Sequence, residues 1–161
     1  MEAQINTKKT VFGAGCFWGV ESAFRQVKGV VDVVVGYSGG HKENPTYEEV
    51  YSGSTGHAEV AQVEYDPAII PYETLVRKFF KMHDSTTMNR QGPDVGEQYR
   101  STIFWGTPEE KEIAEKVKDE LDGSGKYPTK IATQIVPAAP FYRAEEYHQR
   151  YNEKHGTNTC P

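Results

Sequence analysis

Val11-Phe12-Gly13-Ala14-Gly15-Cys16-Phe17-Trp18-Gly19 changes its hydrophobic period in the middle. Thr10 to Ala14 reads as a short buried strand, after which Val20, Phe24 and Val27 recur at helical spacing until Gly29 supplies a stop. The chain therefore opens with a strand, a glycine-rich turn and a helix, and Cys16 stands at the junction. The unsatisfied N–H groups and positive dipole end of a helix N-terminus favour a thiolate, drawing a cysteine pKa below about 8.5. Such a thiol is a nucleophile, although a cysteine here can equally be a small core residue. Gly13, Gly15 and Gly19 also suggest a dinucleotide-binding turn, but their spacing is one residue longer than G-x-G-x-x-G and no acidic residue closes the second strand.

Working outward, Val30 to Tyr37 reads as a buried strand ended by Ser38-Gly39-Gly40, and His57 to Tyr65 as the next. Between them His41 to Thr55 is a long irregular segment holding Tyr47, which from the loop alone is more readily a packing residue than a chemical one. In the third strand Glu59 shares a face with Ala61, Val63 and Tyr65. A carboxyl on an apolar face has its pKa raised and can donate a proton near neutral pH; at an exposed strand end it would simply be solvated.

Pro71 opens a helix with Leu75, Val76, Phe79 and Phe80 in one stripe, and His83 to Gln98 is a second long irregular segment leading into a strand over Tyr99 to Trp105. Thr107-Pro108-Glu109-Glu110 is a capping box for a helix that stops at Gly123. A fifth strand over Ile131 to Val136 and a last helix over Ala144 to Lys154 complete the chain. The order of the first six elements matches the split βαβ pattern. It predicts an α+β fold: a two-layer sandwich with a mixed sheet, a ferredoxin-like core and a C-terminal extension. The 161 residues fit one domain, 1–161, with a flexible tail expected from about residue 153.

The net charge of −5 argues against a nucleic-acid partner. No apolar run approaches a membrane span, and Met1 to Lys9 lacks the apolar segment of a secretory signal, so a cytoplasmic placement is expected. His41, His57, His83, His148 and His155 form no pair at ligand spacing, and no metal or other cofactor is expected. The only cysteines are Cys16 and Cys160, and in a reducing compartment a transient bridge between them is more plausible than a permanent one. From the residues alone, a thiol peroxidase and a non-catalytic module gripping peptides with its tyrosine-rich loops both remain open.

Gly15-Cys16-Phe17-Trp18-Gly19, Asn44-Pro45-Thr46-Tyr47, Thr55-Gly56-His57-Ala58-Glu59-Val60 and Gln91-Gly92-Pro93-Asp94-Val95-Gly96-Glu97-Gln98-Tyr99-Arg100-Ser101 resemble, in order, the signatures of peptide methionine sulfoxide reductases of the A type. The resemblance implies that Cys16 attacks the sulfoxide sulfur and becomes a sulfenic acid. It implies that Glu59 protonates the leaving oxygen, that Tyr47 and Tyr99 hydrogen-bond it, and that Phe17 and Trp18 receive the S-methyl group. Asp94 would help to orient the substrate. Cys160 would resolve the sulfenic acid as a disulfide recycled by thioredoxin, with the S epimer of free or protein-bound methionine sulfoxide as substrate and a monomer as the working form. Three departures from the family pattern are Asn158-Thr159-Cys160, where Gly-Tyr-Cys is frequent, Ser85 in place of proline and Pro93 in place of asparagine.

Overall fold

The computed structural model describes residues 6–156. Strand β1 (Lys8–Ala14) runs into α1 (Phe17–Arg25), β2 (Val30–Ser38), a short α2 (Tyr47–Tyr51), β3 (Ala58–Tyr65) and α3 (Tyr72–Lys81). A two-stranded hairpin of β4 (Arg90–Gln91) and β5 (Asp94–Val95) precedes β6 (Ser101–Trp105) and α4 (Pro108–Asp122), and the chain continues through β7 (Gln134–Pro137), β8 (Phe141–Arg143) and α5 (Tyr151–His155). The main sheet has the order β7-β6-β1-β3-β2-β8. Its inner four strands are antiparallel in the split βαβ arrangement, and β7 joins β6 in parallel, which makes the sheet mixed.

One face of the sheet carries the principal core. Phe12, Val33, Ala61, Val63 and Ile103 from the strands meet Phe24 of α1, Leu75 and Phe79 of α3, and Val117 of α4, all essentially inaccessible to water. Burial of this apolar surface is the dominant stabilising contribution and fixes the helices on that face. The structure is therefore the expected α+β sandwich. A separate cluster of Phe17, Val35, Tyr37, Val50 and Ala144 closes the sheet end beside Cys16.

The structure departs from the sequence reading in several places: the segment 83–98 holds the β4–β5 hairpin, Tyr99 ends a 3₁₀ turn before β6, the fifth strand is the shorter β7, β8 is an additional strand, and two further departures shape the site. The segment 41–55 contains α2, capped by Thr46: its side chain accepts from the Glu49 N–H at 3.2 Å while Glu49 Oε1 accepts from the Thr46 N–H at 3.0 Å. The helix expected over Ala144 to Lys154 is broken into a single turn of 3₁₀ helix at Glu146–His148 and the short α5. Between them the Gln149 side chain bonds both Val35 N–H and Val35 C=O at 3.0 and 2.9 Å, and the Arg150 N–H turns away to Glu21. Those bonds to β2 and α1 satisfy groups that a continuous helix would have kept for itself.

Candidate active site

The sheet register brings the distant motifs to one place. Ala14 pairs with Ser101 and Ser38 with Ala58, so β1 and β2 end where β3 and β6 begin. The β1–α1 turn, the β2–β3 connection with α2, the start of β3 and the loop before β6 all open at this end.

Gly15 has φ +95°, and a Cβ built there would stand 2.8 Å from Cβ and Cγ of Gln91, so the turn that delivers Cys16 accepts only glycine. Cys16 caps α1, its carbonyl accepting from Val20 N–H at 3.4 Å. The neighbouring Phe17 N–H donates to Glu59 Oε1 at 3.2 Å. The helix terminus that could have bound a dinucleotide phosphate thus holds a carboxyl group. Glu59 lies on the helix-covered face of β3 and is only 2 % exposed. Burial pushes its carboxyl up, the Phe17 hydrogen bond draws it partly back, and the charge of Asp94 raises it again, to about 8. At neutral pH it is the protonated acid. Its Oε2 is buried without a hydrogen-bond partner among the described residues, so Oε2 is the atom left to carry the proton.

Both tyrosines singled out in the sequence face this acid. Burial first, and then the charges of Glu59 and Asp94, push Tyr47 up to about 12 and carry Tyr99 above the ordinary phenol range. Each keeps its proton at physiological pH and remains a donor. Asp94 stands in β5 opposite Gln91, the residue that packs on Gly15. The Phe17 ring stacks on Tyr47 with centroids 6.4 Å apart and lies 6.5 Å from the Trp18 ring. Cys16, Phe17, Trp18, Tyr47, Glu59, Tyr99 and Asp94 therefore gather at one end of the sheet. Cys160 lies outside the described residues.

Three further residues complete the cluster. His148 is buried among Phe17, Trp18 and Tyr47, at centroid distances of 5.1, 5.6 and 4.4 Å. Burial lowers its pKa more than the Glu145 charge raises it, and its Nδ1 accepts from the Trp18 indole N–H at 3.0 Å. Tyr151 stacks on Trp18 at 3.7 Å, so the indole is held by its edge and its face. Glu145 accepts from the Tyr37 hydroxyl and the Tyr47 N–H, each at 2.9 Å. Burial alone would raise its carboxyl, but these hydrogen bonds hold it below the usual range.

Glu145→Ala leaves a buried hydroxyl and an amide unpaired at the start of α2. The expected loss is about 2–4 kcal/mol in urea unfolding, together with slower catalysis through a displaced Tyr47. Unchanged unfolding would remove Glu145 from this role.

Comparison with known proteins decides the family. The family model described as peptide methionine sulfoxide reductase matches residues 8–161. This chain belongs to that family. A peptide methionine sulfoxide reductase MsrA from Methanoculleus marisnigri is 55% identical over 160 residues, covering 99% of this chain and 98% of that protein. The structure of Mxr1 from Saccharomyces cerevisiae in reduced form superposes with a TM-score of 0.89 at 39% identity, covering 99% of this chain and 92% of that one. Mxr1 in complex with Trx2 matches with a TM-score of 0.65 at 31% identity, over 100% of this chain and 91% of that one. The α+β sandwich is thus the fold of the peptide methionine sulfoxide reductases, and the chain is an enzyme of this class.

Proposed function

We propose that this reductase acts on the S epimer of methionine sulfoxide, free or in proteins, through a sulfenic acid on Cys16 and then a Cys16–Cys160 disulfide reduced by thioredoxin. The observation that carries the reading is the Glu59 carboxyl, protonated at neutral pH and bonded to the amide next to Cys16. A sulfoxide oxygen is a poor leaving group until it is protonated, and a thiolate beside an acid of pKa near 8 supplies both halves of that requirement.

In the first step the Cys16 thiolate attacks the sulfoxide sulfur, forming an S–S bond, while Glu59 gives its proton to the oxygen; the substrate S–O bond then breaks and the hydroxyl passes to the Cys16 sulfur as the S–S bond breaks. The substrate gains two electrons and leaves as methionine, Cys16 loses two and holds the oxygen as S–OH, and Glu59 is left ionised. Tyr47 and Tyr99 donate hydrogen bonds to the oxygen as its charge grows. Phe17 and Trp18 offer the aromatic surface that sulfur and methyl groups favour, and Asp94 orients the substrate. In the second step Cys160, entering as the thiol, attacks the Cys16 sulfur; the S–S bond forms, the S–O bond breaks, and the thiol proton passes to the departing oxygen, which leaves as water. A dithiol then reduces the disulfide by exchange. The Mxr1 complex with Trx2 supports thioredoxin as that dithiol.

Tyr99→Phe removes one donor to the reacting oxygen and is expected to lower the single-turnover rate by about 10²-fold with little change in stability. A rate within twofold of wild type would take Tyr99 out of the mechanism. The proposal as a whole is tested by turnover on resolved epimers with thioredoxin: methionine from the S form alone, lost in Cys160→Ser after a single equivalent, is the expected result. Equal turnover of both epimers, or full turnover by Cys160→Ser, would overturn the corresponding part.

A further inference from the structure

We infer that Tyr51 and Tyr147 form the two sides of a subsite for the residues that flank the sulfoxide in a polypeptide, and that with Glu48 and Asp94 they favour lysine or arginine there. The inference rests on the reading above and deepens it by naming the sequence context of the substrate.

Most of the rings at this end of the sheet are covered. Phe17, Tyr37, Tyr99 and His148 are buried, and Trp18 and Tyr47 are partly so. Tyr51 and Tyr147 are the exceptions, 61% and 57% exposed. Folding gains little from a large ring left in water, so both faces are free to cover a ligand.

Their places are set on either side of Tyr47. Tyr51 ends α2 with its ring centroid 6.0 Å from that of Tyr47, and its carbonyl accepts from Gln98 Nε2 at 3.1 Å, which ties it to the turn that carries Tyr99. Tyr147 stands in the 3₁₀ turn at Glu146–His148, its ring 4.1 Å from His148, which in turn lies 4.4 Å from Tyr47. Both oppose the ionisation of Tyr47; Tyr51 does the same at Tyr99, and Tyr147 at Tyr37. One exposed ring therefore lies toward Tyr99 and the other toward Tyr37. A methionine sulfoxide whose oxygen reaches Glu59, Tyr47 and Tyr99 leaves its backbone at this rim. Its two neighbours, up to about 7 Å apart in an extended chain, then come to lie against the rings.

The charge at the rim chooses between neighbours. Glu48 opposes the ionisation of Tyr147, and Asp94 that of Tyr47 and Tyr99, so each carboxylate adjoins the tyrosines. Neither is in an ion pair among the described residues, whereas Glu49 is paired with Lys42 and Glu146 with Arg143. A lysine or arginine of the substrate would meet an aromatic face and an unneutralised carboxylate together. An acidic neighbour would meet like charge.

The test measures kcat and KM on blocked tripeptides with methionine S-sulfoxide between two lysines, two alanines or two glutamates, and on the blocked single residue, with dithiothreitol as reductant. The lysine peptide is expected to exceed the glutamate peptide about tenfold in kcat/KM, chiefly through KM, and the ratio should shrink in about 0.5 M salt. Tyr51→Ala and Tyr147→Ala should each raise KM for the lysine peptide about threefold with kcat unchanged, while the blocked single residue, which has no neighbours to bind, stays within about twofold of wild type. Tyr51→Phe and Tyr147→Phe keep the ring face and should behave as wild type. Equal kcat/KM on the lysine and glutamate peptides overturns the inference, and so does a loss in the alanine variants that is as large on the single residue as on the peptide. No turnover of any of the four substrates by wild type would instead overturn the S-sulfoxide reading on which the inference rests.

Discussion

Cys16→Ser forms no methionine from a peptide methionine S-sulfoxide, a loss of at least about 10³-fold, while remaining folded. A hydroxyl at the start of α1 does not ionise near neutral pH, so neither the helix N-terminus nor Glu59 can turn serine into a nucleophile for sulfoxide sulfur. Cys16 is only partly buried and is followed by the same Phe17–Glu59 hydrogen bond in the variant, so stability should change by about 1 kcal/mol or less. Circular dichroism and thermal unfolding check the second half of the expectation. Residual turnover above a few per cent would mean that another group attacks the substrate.

Glu59→Gln is expected to slow the first turnover by about 10²–10⁴-fold, the usual contribution of a positioned general acid. The amide can still accept from Phe17 N–H, so the loss isolates the proton. In wild type the acid form is needed, and with a pKa of about 8 the rate should fall as pH rises through 8. In the variant that alkaline decline should vanish.

Stability should move the other way. Glu59 is protonated in the folded protein up to about pH 8, whereas in the unfolded chain it ionises near 4.5. Between those values the unfolded state binds fewer protons, so wild-type stability declines as pH rises from 4.5 to 8 and is level beyond. Removing the ionisable group should therefore stabilise the protein at pH 8 by about 2–5 kcal/mol, with the gain disappearing near pH 4.5. An acid kept neutral for proton transfer thus carries a stability cost. A variant that melts at the wild-type temperature at both pH values would show that Glu59 is not held protonated.

The parts of this molecule that were legible in the sequence are those fixed by local periodicity. The strand–glycine–helix change at Gly13 to Gly19 located the nucleophile, and the alternation of Glu59 with Ala61, Val63 and Tyr65 put the carboxyl on the covered face. Family signatures supplied the roles of Tyr47, Tyr99 and Asp94; periodicity alone left Tyr47 and Asp94 in irregular segments and put Tyr99 at the start of a strand. The helix that carries Tyr47 had a local signal: Thr46 and Glu49 stand at capping-box spacing, inside a segment whose Gly, Asn and Ser content reads as irregular.

The remainder depends on contacts that no local pattern encodes. Glu145 acts on Tyr37 and Tyr47, which are 108 and 98 positions away. The break before α5 arises because Gln149 bonds Val35, 114 positions away, and Arg150 bonds Glu21, 129 away. That break seats His148 and Tyr151 on two sides of Trp18. Pairing His148 with Trp18 required the fold, because a lone histidine in a polar stretch reads as an ordinary surface residue.

The most direct test of the central claim is a single-turnover count. Reduced protein is mixed with excess resolved S-sulfoxide peptide without added reductant, and methionine is quantified alongside mapping of the cysteines. Methionine is expected at once, with a disulfide between Cys16 and Cys160 in the wild type and a sulfenic acid trapped on Cys16 in Cys160→Ser. No methionine, or methionine formed while Cys16 stays reduced, would contradict that claim.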